Sequence, residues 1–361
     1  MAKWKGFEHG LGIGGWLTNY KRFNLVPREK WPLLTKGDFE HFNSYITEND
    51  VKYIASLGAD HIRLGFDQIV LEESAGVYRE EIFALIDAFI EWCEKYSLNV
   101  VLNLHKAEGN YCDVEEERTL LDDEEYSERF ILLWEAFEKR YKDKPQVAFE
   151  ILNEVRDVDP QKWNNLYKRA VKRLRALNKN RKIVIGSISW NDCAFLKNLE
   201  LLDDDNIIYT FHIYAPHEFT HQKGVLQPWV LYNREMPYPS DIEIYRDCRR
   251  VVNGQECAYP TLNRMDKEAI RGFLKPAADF VKAHPEKILW CGEFGTIRHC
   301  KKVWRENWMR DVVDILNENE ISYCTWNYLS TPNDGNRFSL VDDDERKILS
   351  DVFEKIIGGK L

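Results

Sequence analysis

The sequence predicts an α/β fold, a (β/α)8 or TIM barrel. Short apolar runs alternate with longer amphipathic segments, the count of such runs is eight, and most of them are continuously apolar. Strands that are covered on both faces by helices need this continuous apolar character. Because barrels of this kind often reach 361 residues as one unit, we expect a single domain over residues 1–361.

The predicted strands and helices follow each other along the whole chain. The strands are predicted at residues 11–16, 60–66, 99–105, 147–154, 182–188, 207–214, 287–294 and 321–328. One helix follows the second strand, and its apolar face is formed by Ile82, Leu85, Ile86, Phe89 and Cys93. Further helices are predicted at about residues 47–57, 124–141, 161–177, 267–283, 301–318 and 343–357.

One interval is too long for a plain loop. Residues 216–265 separate the sixth strand from its helix and are rich in Pro, Tyr and Trp. We expect a small subdomain inserted on the face of the barrel that carries the active site, where elongated loops shape binding clefts.

Composition and charge exclude several function classes. The chain is 44% hydrophobic and 30% charged, as is usual for a globular protein, and its net charge of −10 repels a nucleic acid backbone. No apolar run approaches the length of a membrane span, and the first ten residues lack the apolar core of a signal peptide. We expect a cytoplasmic protein, or a secreted one if a leader preceded this sequence.

The eight cysteines are predicted to be free thiols. They show no CxxC spacing, and a chain of this size needs no disulfides to be stable. They are Cys93, Cys112, Cys193, Cys248, Cys257, Cys291, Cys300 and Cys324.

Two glutamates stand at the predicted carboxyl ends of apolar strands. Glu154 closes ILNE and Glu293 lies in WCGEF, so both carboxyls are expected in the partly dry mouth of the barrel. Glycosidic bond cleavage needs two such acids, one to protonate the leaving oxygen and one to attack the anomeric carbon or activate water.

The motifs around these glutamates resemble glycoside hydrolase family 5, the cellulase family of retaining barrel glycosidases, and bacterial endoglucanases with a lobe inserted after strand six in particular. The resemblance runs from GGW at 14–16 to WNY at 326–328. The residues that carry it are Arg63, His105, Asn153, Glu154, His212, Tyr214, Glu293 and Trp326. Many relatives have a second histidine after the first in strand three, where this chain has Lys106.

The resemblance implies a role for each of these residues. Glu293 is expected to be the nucleophile, kept ionised by Arg63 and Tyr214, and Glu154 the acid/base, with a raised pKa because no cation is evident beside it. The remaining four are expected to bind sugar: Asn153 at the 2-hydroxyl, Trp326 under the ring, and His105 and His212 at hydroxyls or as partners of the two acids.

The implied function is hydrolysis of internal β-1,4-glucosidic bonds with retention, without a cofactor or metal, by a monomer. A mixed-linkage β-glucanase, a β-mannanase or an exo-acting β-glucosidase on the same fold stays open, because fold does not fix the substrate. The expected partner is a β-linked glucan polysaccharide or oligosaccharide. Trp190 and Trp229 are candidate platforms for sugar units beyond the cleavage point.

Three readings from other classes compete. His217, Glu218 and His221 spell H-E-x-x-H, the signature of zinc hydrolases, although no third ligand is evident. Gly10, Gly12 and Gly15 spell the dinucleotide-binding G-x-G-x-x-G, although residues 16–32 after it show no helical periodicity. A non-catalytic sugar-binding barrel is disfavoured because both glutamates are present.

Overall fold

The computed structural model describes residues 3–18, 34–111, 119–224, 228–331 and 335–361. Eight parallel strands close into a barrel in which every strand lies between its neighbours in sequence and β1 pairs with β8. The predicted (β/α)8 fold is confirmed. The strands are β1 (His9–Leu17), β2 (His61–Asp67), β3 (Asn99–Lys106), β4 (Val147–Glu150), β5 (Ile183–Gly186), β6 (Ile207–Ile213), β7 (Ile288–Phe294) and β8 (Ser322–Thr325).

Of the predicted strands that extend too far, β4 and β8 do so by the most residues. β4 ends at Glu150 rather than at residue 154, and β8 ends at Thr325 rather than at residue 328. Apolar residues continue beyond both ends because the chain there is still buried, as Ile151 and Leu152 are. A pattern of hydrophobicity reports burial, and it does not mark where the strand pairing stops.

Most predicted helices are present. The helices around the barrel are Lys36–Ser44, Glu48–Ser56, Gln68–Leu71, Glu80–Lys95, Glu124–Tyr141, Pro160–Leu177, Lys267–Phe273, Lys275–Ala283, Lys302–Glu318 and Asp351–Ile357. Of the predicted apolar face after β2, four residues are buried and Leu85 is half-buried. The helix predicted at 343–357 begins only at Asp351, and the one predicted at 267–283 is divided before Lys275. Between β5 and β6 the chain forms a short 3-10 helix, Cys193–Asn198.

The lower half of the barrel interior is filled by apolar side chains. One residue from each of six strands forms a buried cluster with two aromatic residues of the N-terminal segment, Trp4 and Phe7. Trp4 stacks on Phe7 with ring centroids 4.0 Å apart and meets Trp290 edge to face at 5.5 Å. The amino-terminal end of the barrel is thereby closed, and only the carboxyl-terminal end is available for a site.

Side chains two residues further along β3, β4 and β6 are polar. Val101 is followed by Asn103 and His105 on β3, and Ala148 is followed by Glu150 on β4. Because side chains of a strand alternate between its two faces, these polar groups point into the barrel above the apolar layer. The interior of the barrel therefore changes from apolar to polar within the length of one strand.

The interval between β6 and Lys267 contains short elements of its own. The described residues form helices His217–Thr220, Trp229–Tyr232 and Ile242–Asn253, and Ser240–Asp241 pairs antiparallel with Arg264–Met265. The longest of these helices begins where the Asp241 side chain accepts a hydrogen bond from the Glu243 N–H group, and it ends at Gly254, which has a left-handed φ of 65°.

The described residues bear on two further expectations, about membrane-spanning helices and about the cysteines. None of their helices is long and apolar enough to cross a membrane. The cysteines within the described ranges, seven in number, are free thiols, and Cys112 lies outside those ranges.

Candidate active site

An irregularity in strand pairing directs Glu293 into the barrel. Trp290 belongs to the interior layer, so strict alternation would turn Gly292 inward and Glu293 outward. The register between β7 and β6 shifts after Cys291, so that Glu293 rather than Gly292 lies opposite His212. Such bulges re-aim side chains next to active sites, and here the bulge delivers a carboxyl to the mouth.

Glu293 is held in its ionised form. Arg63 Nη1 donates to Glu293 Oε1, and Tyr214 Oη donates to Oε2 at 2.8 Å. Burial alone would raise the pKa of Glu293, but His212, Arg63, His105 and the Tyr214 hydroxyl together lower it to about 2. A buried carboxylate that remains charged and has directed donors on both oxygens is suited to act as a nucleophile.

Glu150 completes the support of Arg63, and sequence reasoning missed it. Glu150 is fully buried at the end of β4 and binds Arg63 at two points, Nε to Oε2 at 2.6 Å and Nη2 to Oε1 at 2.9 Å. Arg63 Nη2 also donates to Asn153 Oδ1 at 2.5 Å. The available signal was a lone acid inside the apolar run VAFEIL, where an unpaired charge would be costly.

Glu154 lies four residues beyond the end of β4. The chain between them continues along the barrel wall, since Ile151 N–H donates to Val184 at 3.2 Å and Asn153 N–H donates to Leu104 at 2.9 Å. Its side chain is 19% exposed, compared with 5% for Glu293. Glu154 is therefore the carboxyl nearer to solvent, which suits proton exchange with water and with a departing sugar.

The spacing of the two carboxyls fits a retaining mechanism. One oxygen of Glu154 and one of Glu293 lie within 4.8 Å of each other. Retaining glycosidases place the two groups about 5–5.5 Å apart, whereas inverting ones leave roughly 6.5–9.5 Å for a water molecule. The gap here is too small for the inverting arrangement.

His212 links the two acids. Its Nδ1 is 2.9 Å from Glu154 Oε1 and 3.7 Å from Glu293 Oε2. Burial would lower the pKa of His212, but Glu293 and Glu154 raise it above its ordinary value of 6.5. His212 is thus a neighbour of Glu154 that a linear pattern does not show, because the barrel brings together residues that are 58 positions apart. The raised pKa expected for Glu154 stays a prediction. The finding supports the alternative role stated for His212, a partner of the acids.

Trp326 forms a flat wall of the site. Its ring is stacked on that of His105, with centroids 5.4 Å apart and 6° between the planes, and the guanidinium of Arg63 lies 5.8 Å from its centroid. Lys106, the residue that follows His105, is buried at the end of β3 in register with Asp67.

The glycines of β1 make room for this tryptophan. A Cβ atom on Gly12 would lie 2.9 Å from Trp326, and one on Gly14 would lie 2.5 Å from it. A Cβ on Gly10 would meet the His61 ring at 2.4 Å, and Gly15 has a positive φ of 73°. Close packing inside a barrel strand explains the G-x-G-x-x-G pattern, and the nearest following described helix begins only at Lys36, with residues 19–33 outside the described ranges.

The two tryptophans predicted as platforms differ in their surroundings. The side chain of Trp190 is 45% exposed. Its backbone N–H donates a hydrogen bond of 2.8 Å to the carbonyl of Val155, the neighbour of Glu154. Its backbone is left-handed, with φ of 57°, as is that of Ser189 before it. Trp229 is half-buried against the core, and the Arg249 guanidinium lies 5.2 Å from its ring centroid.

The H-E-x-x-H residues are engaged in other contacts. Glu218 is buried, accepts from Arg249, and accepts from the Tyr259 hydroxyl at 2.7 Å. Within the described ranges, the only group of three or more His, Cys, Asp or Glu side chains close enough to share an ion is Glu154, His212 and Glu293. Within that group Glu293 is bound by the Arg63 guanidinium.

Comparison with known proteins agrees with this geometry. Residues 25–331 match the family Cellulase (glycosyl hydrolase family 5). The chain is 35% identical over 353 residues to Endoglucanase C of Acetivibrio thermocellus, with 96% of each chain covered. It is 28% identical over 330 residues to Cellodextrinase A of Ruminococcus flavefaciens, with 89% of this chain and 85% of that protein covered.

A solved structure with the same fold is that of Thermotoga maritima Cel5A in complex with cellobiose. It has a TM-score of 0.74 and 25% identity, and the match covers 98% of each chain. The family match and the identity to an endoglucanase confirm the resemblance seen in the sequence. The chain belongs to the cellulase family, glycosyl hydrolase family 5, and is a glycosidase.

Proposed function

We propose that this glycosidase is a retaining endo-β-1,4-glucanase in which Glu293 is the nucleophile and Glu154 the acid/base. The observation that carries the assignment is the pair of carboxyls within 4.8 Å, of which Glu293 is the more buried and accepts hydrogen bonds from the Arg63 guanidinium and the Tyr214 hydroxyl. The name of the endoglucanase to which the chain is 35% identical supports the choice of substrate class.

In the first half of the reaction the two acids act together. Glu293 attacks the anomeric carbon, the glycosidic bond breaks, and Glu154 gives its proton to the departing oxygen. The products are a glycosyl ester on Glu293 and a free sugar. In the second half Glu154, now ionised, takes a proton from water, the water oxygen attacks the anomeric carbon, and Glu293 is released with the configuration retained.

The surrounding side chains have roles in this scheme. Arg63 holds Asn153 through its Oδ1 atom, which leaves the amide N–H groups of Asn153 as donors to the sugar 2-hydroxyl. The Trp326 ring offers a floor for the sugar being cleaved, and the neighbouring His105 a hydrogen bond to one of its hydroxyls.

Trp190 is proposed as a platform for the leaving sugar. The loop that carries it is bonded to the residue after Glu154, and the acid must lie on the side of the scissile bond from which the leaving group departs. An exposed indole at this position can stack on a sugar ring. Trp229 remains a proposed platform further along, with one face covered by Arg249.

The test compares bond cleavage on several polymers. The enzyme should lower the viscosity of carboxymethylcellulose much faster than it releases reducing ends, because cleavage is internal. Faster cleavage of mannan than of any cellulose derivative would favour the β-mannanase. Faster cleavage of barley glucan than of any cellulose derivative would favour the mixed-linkage β-glucanase. Release of glucose alone, with slow loss of viscosity, would contradict endo action.

Activity abolished by a chelator and restored by zinc would favour the H-E-x-x-H alternative. Size-exclusion chromatography tests the expected monomer.

A further inference from the structure

A cavity lies between the segment that follows β6 and helix Lys267–Phe273, and it shares no lining residue with the site around Glu154 and Glu293. Its volume is about 470 Å³, within the range of small-molecule sites. Its walls include the rings of Tyr259 and Phe273, whose centroids are 6.2 Å apart, and the polar side chains of Arg249, Gln255 and Thr261. The lining thus combines two aromatic residues with hydrogen-bonding side chains.

The rim of this cavity is held rigidly. Arg246 donates to three backbone carbonyls of the rim, those of Ala258 at 3.2 Å, Tyr259 at 3.0 Å and Leu262 at 2.9 Å. Tyr259 has a left-handed backbone, with φ of 53°, which is unfavourable for an aromatic residue. Strain of this kind persists where the surroundings fix a conformation, and it concentrates at binding sites.

The charges beside the cavity neutralise each other. Arg249 and the Tyr259 hydroxyl both donate to Oε1 of the buried Glu218, so the guanidinium already has its counter-ion. An anionic ligand would have to compete with this carboxylate, and a cationic one would meet the guanidinium. The occupant that fits is neutral, with an apolar face for the rings and hydroxyls for the polar groups, which describes a sugar.

A glycine in the wall has no structural explanation within the described residues. Gly272 lies inside helix Lys267–Phe273, where glycine is less stable than alanine, and a Cβ atom there would have no neighbour within 4 Å. Its φ is not in the left-handed region that favours glycine. A bare backbone at the wall of a cavity allows a ligand to approach closely.

We propose that this cavity is a second carbohydrate site, which binds a neutral β-linked gluco-oligosaccharide outside the catalytic cleft. The proposal rests on the proposed function for its ligand class. A polymer held there would stay near the enzyme between cleavage events, so the site should matter for long chains and not for short aryl glycosides.

Filling the cavity tests the proposal without threatening the fold. Gly272→Leu places a side chain in open space and replaces a poor helix former by a good one. The matched control is Ala283→Leu, which adds the same bulk at an exposed position of the next helix, outside the lining. Both changes are made with Glu154→Ala, which prevents turnover, and cellohexaose is titrated by calorimetry.

The Glu154→Ala protein should bind two equivalents of cellohexaose. With Gly272→Leu added, the affinity of the second binding step should fall by about tenfold or more. With the Ala283→Leu control, both binding steps should keep their affinity. A single binding step in the starting protein, or two unchanged steps after Gly272→Leu, would overturn the second site. The proposed function is tested separately, since wild-type enzyme that cleaves no β-glucan would contradict it, whereas cleavage with one binding site contradicts only this inference.

Discussion

Arg63 and Glu150 form a two-point ion pair inside the closed barrel, with bonds of 2.6 and 2.9 Å and neither side chain exposed. The same guanidinium binds Glu293, the proposed nucleophile. Glu150 therefore fixes the plane of the group that keeps Glu293 ionised, although it does not itself touch the reacting atoms. The barrel core and the chemistry share one arginine, so a change at Glu150 should affect both.

Removing Glu150 should destabilise the protein strongly. Glu150→Ala leaves the Arg63 charge buried and only partly compensated, and loss of one partner of a buried pair costs about 3–5 kcal/mol. The free energy of unfolding in urea measures this loss. The control is Glu94→Ala, which removes a surface partner of Lys144 and should cost less than about 1 kcal/mol. Equal losses for the two variants would contradict the supporting role of Glu150.

The Tyr214 hydroxyl should set the acid limb of the pH profile. Its hydrogen bond favours the charged form of Glu293 and lowers the pKa of that carboxyl, so Tyr214→Phe should raise the pKa. The acid limb of kcat/KM should then move to higher pH by about one unit, since a hydrogen bond to a charged group contributes about 1.5–3 kcal/mol. Tyr328→Phe, which removes a hydroxyl bound to Asp50, should leave the limb in place.

A methyl group on Gly14 should impair catalysis by displacing Trp326. The Cβ of Gly14→Ala would lie 2.5 Å from the indole, which must then move from its place beside His105. We expect kcat/KM on an aryl cellobioside to fall by roughly tenfold to 100-fold, the effect of a misplaced positioning group. Gly272→Ala adds the same methyl group in open space and should leave this activity unchanged. Full activity of Gly14→Ala would contradict the prediction that the position of Trp326 matters for catalysis.

Loss of Trp190 should affect long substrates more than short ones. Trp190→Ala removes a stacking surface worth about 0.5–1.5 kcal/mol, so KM for cellohexaose should rise by roughly twofold to tenfold while KM for an aryl cellobioside with a small leaving group stays constant. Trp229→Ala tests the second platform in the same assay. A uniform change on all substrates would indicate that the residue packs the fold rather than binds sugar.

The sequence pattern predicted the barrel and the two glutamates at its mouth for a physical reason. Strands covered on both faces leave continuous apolar runs, and the carboxyl ends of parallel strands meet at one end of a barrel, so acids at the ends of such runs must converge. The contacts of Glu293 with Arg63 and Tyr214 were expected from the family resemblance and are present in the structure. The family resemblance supplied the expected role of each residue.

Other features depend on geometry that a linear pattern does not contain. The bulge at Gly292 appears only in the pairing of β7 with β6, and the Glu150 ion pair requires two strands that are 87 residues apart. The contact of His212 with Glu154 also joins distant strands. The helix was predicted to start too early because residues 343–347 are all charged, a composition shared by exposed helices and by turns.

The most direct test of the account separates Glu293 from Glu154 by the product each variant forms with azide. Glu154→Ala should still form the glycosyl ester from an activated aryl cellobioside, and azide should attack that ester without base assistance to give the β-glycosyl azide. Glu293→Ala has no nucleophile, so azide can attack the sugar only from the face opposite the leaving group and should give the α-glycosyl azide. NMR of the product anomers decides the assignment: β from Glu154→Ala and α from Glu293→Ala are the predicted results, and the reverse pairing would contradict the roles given to the two glutamates.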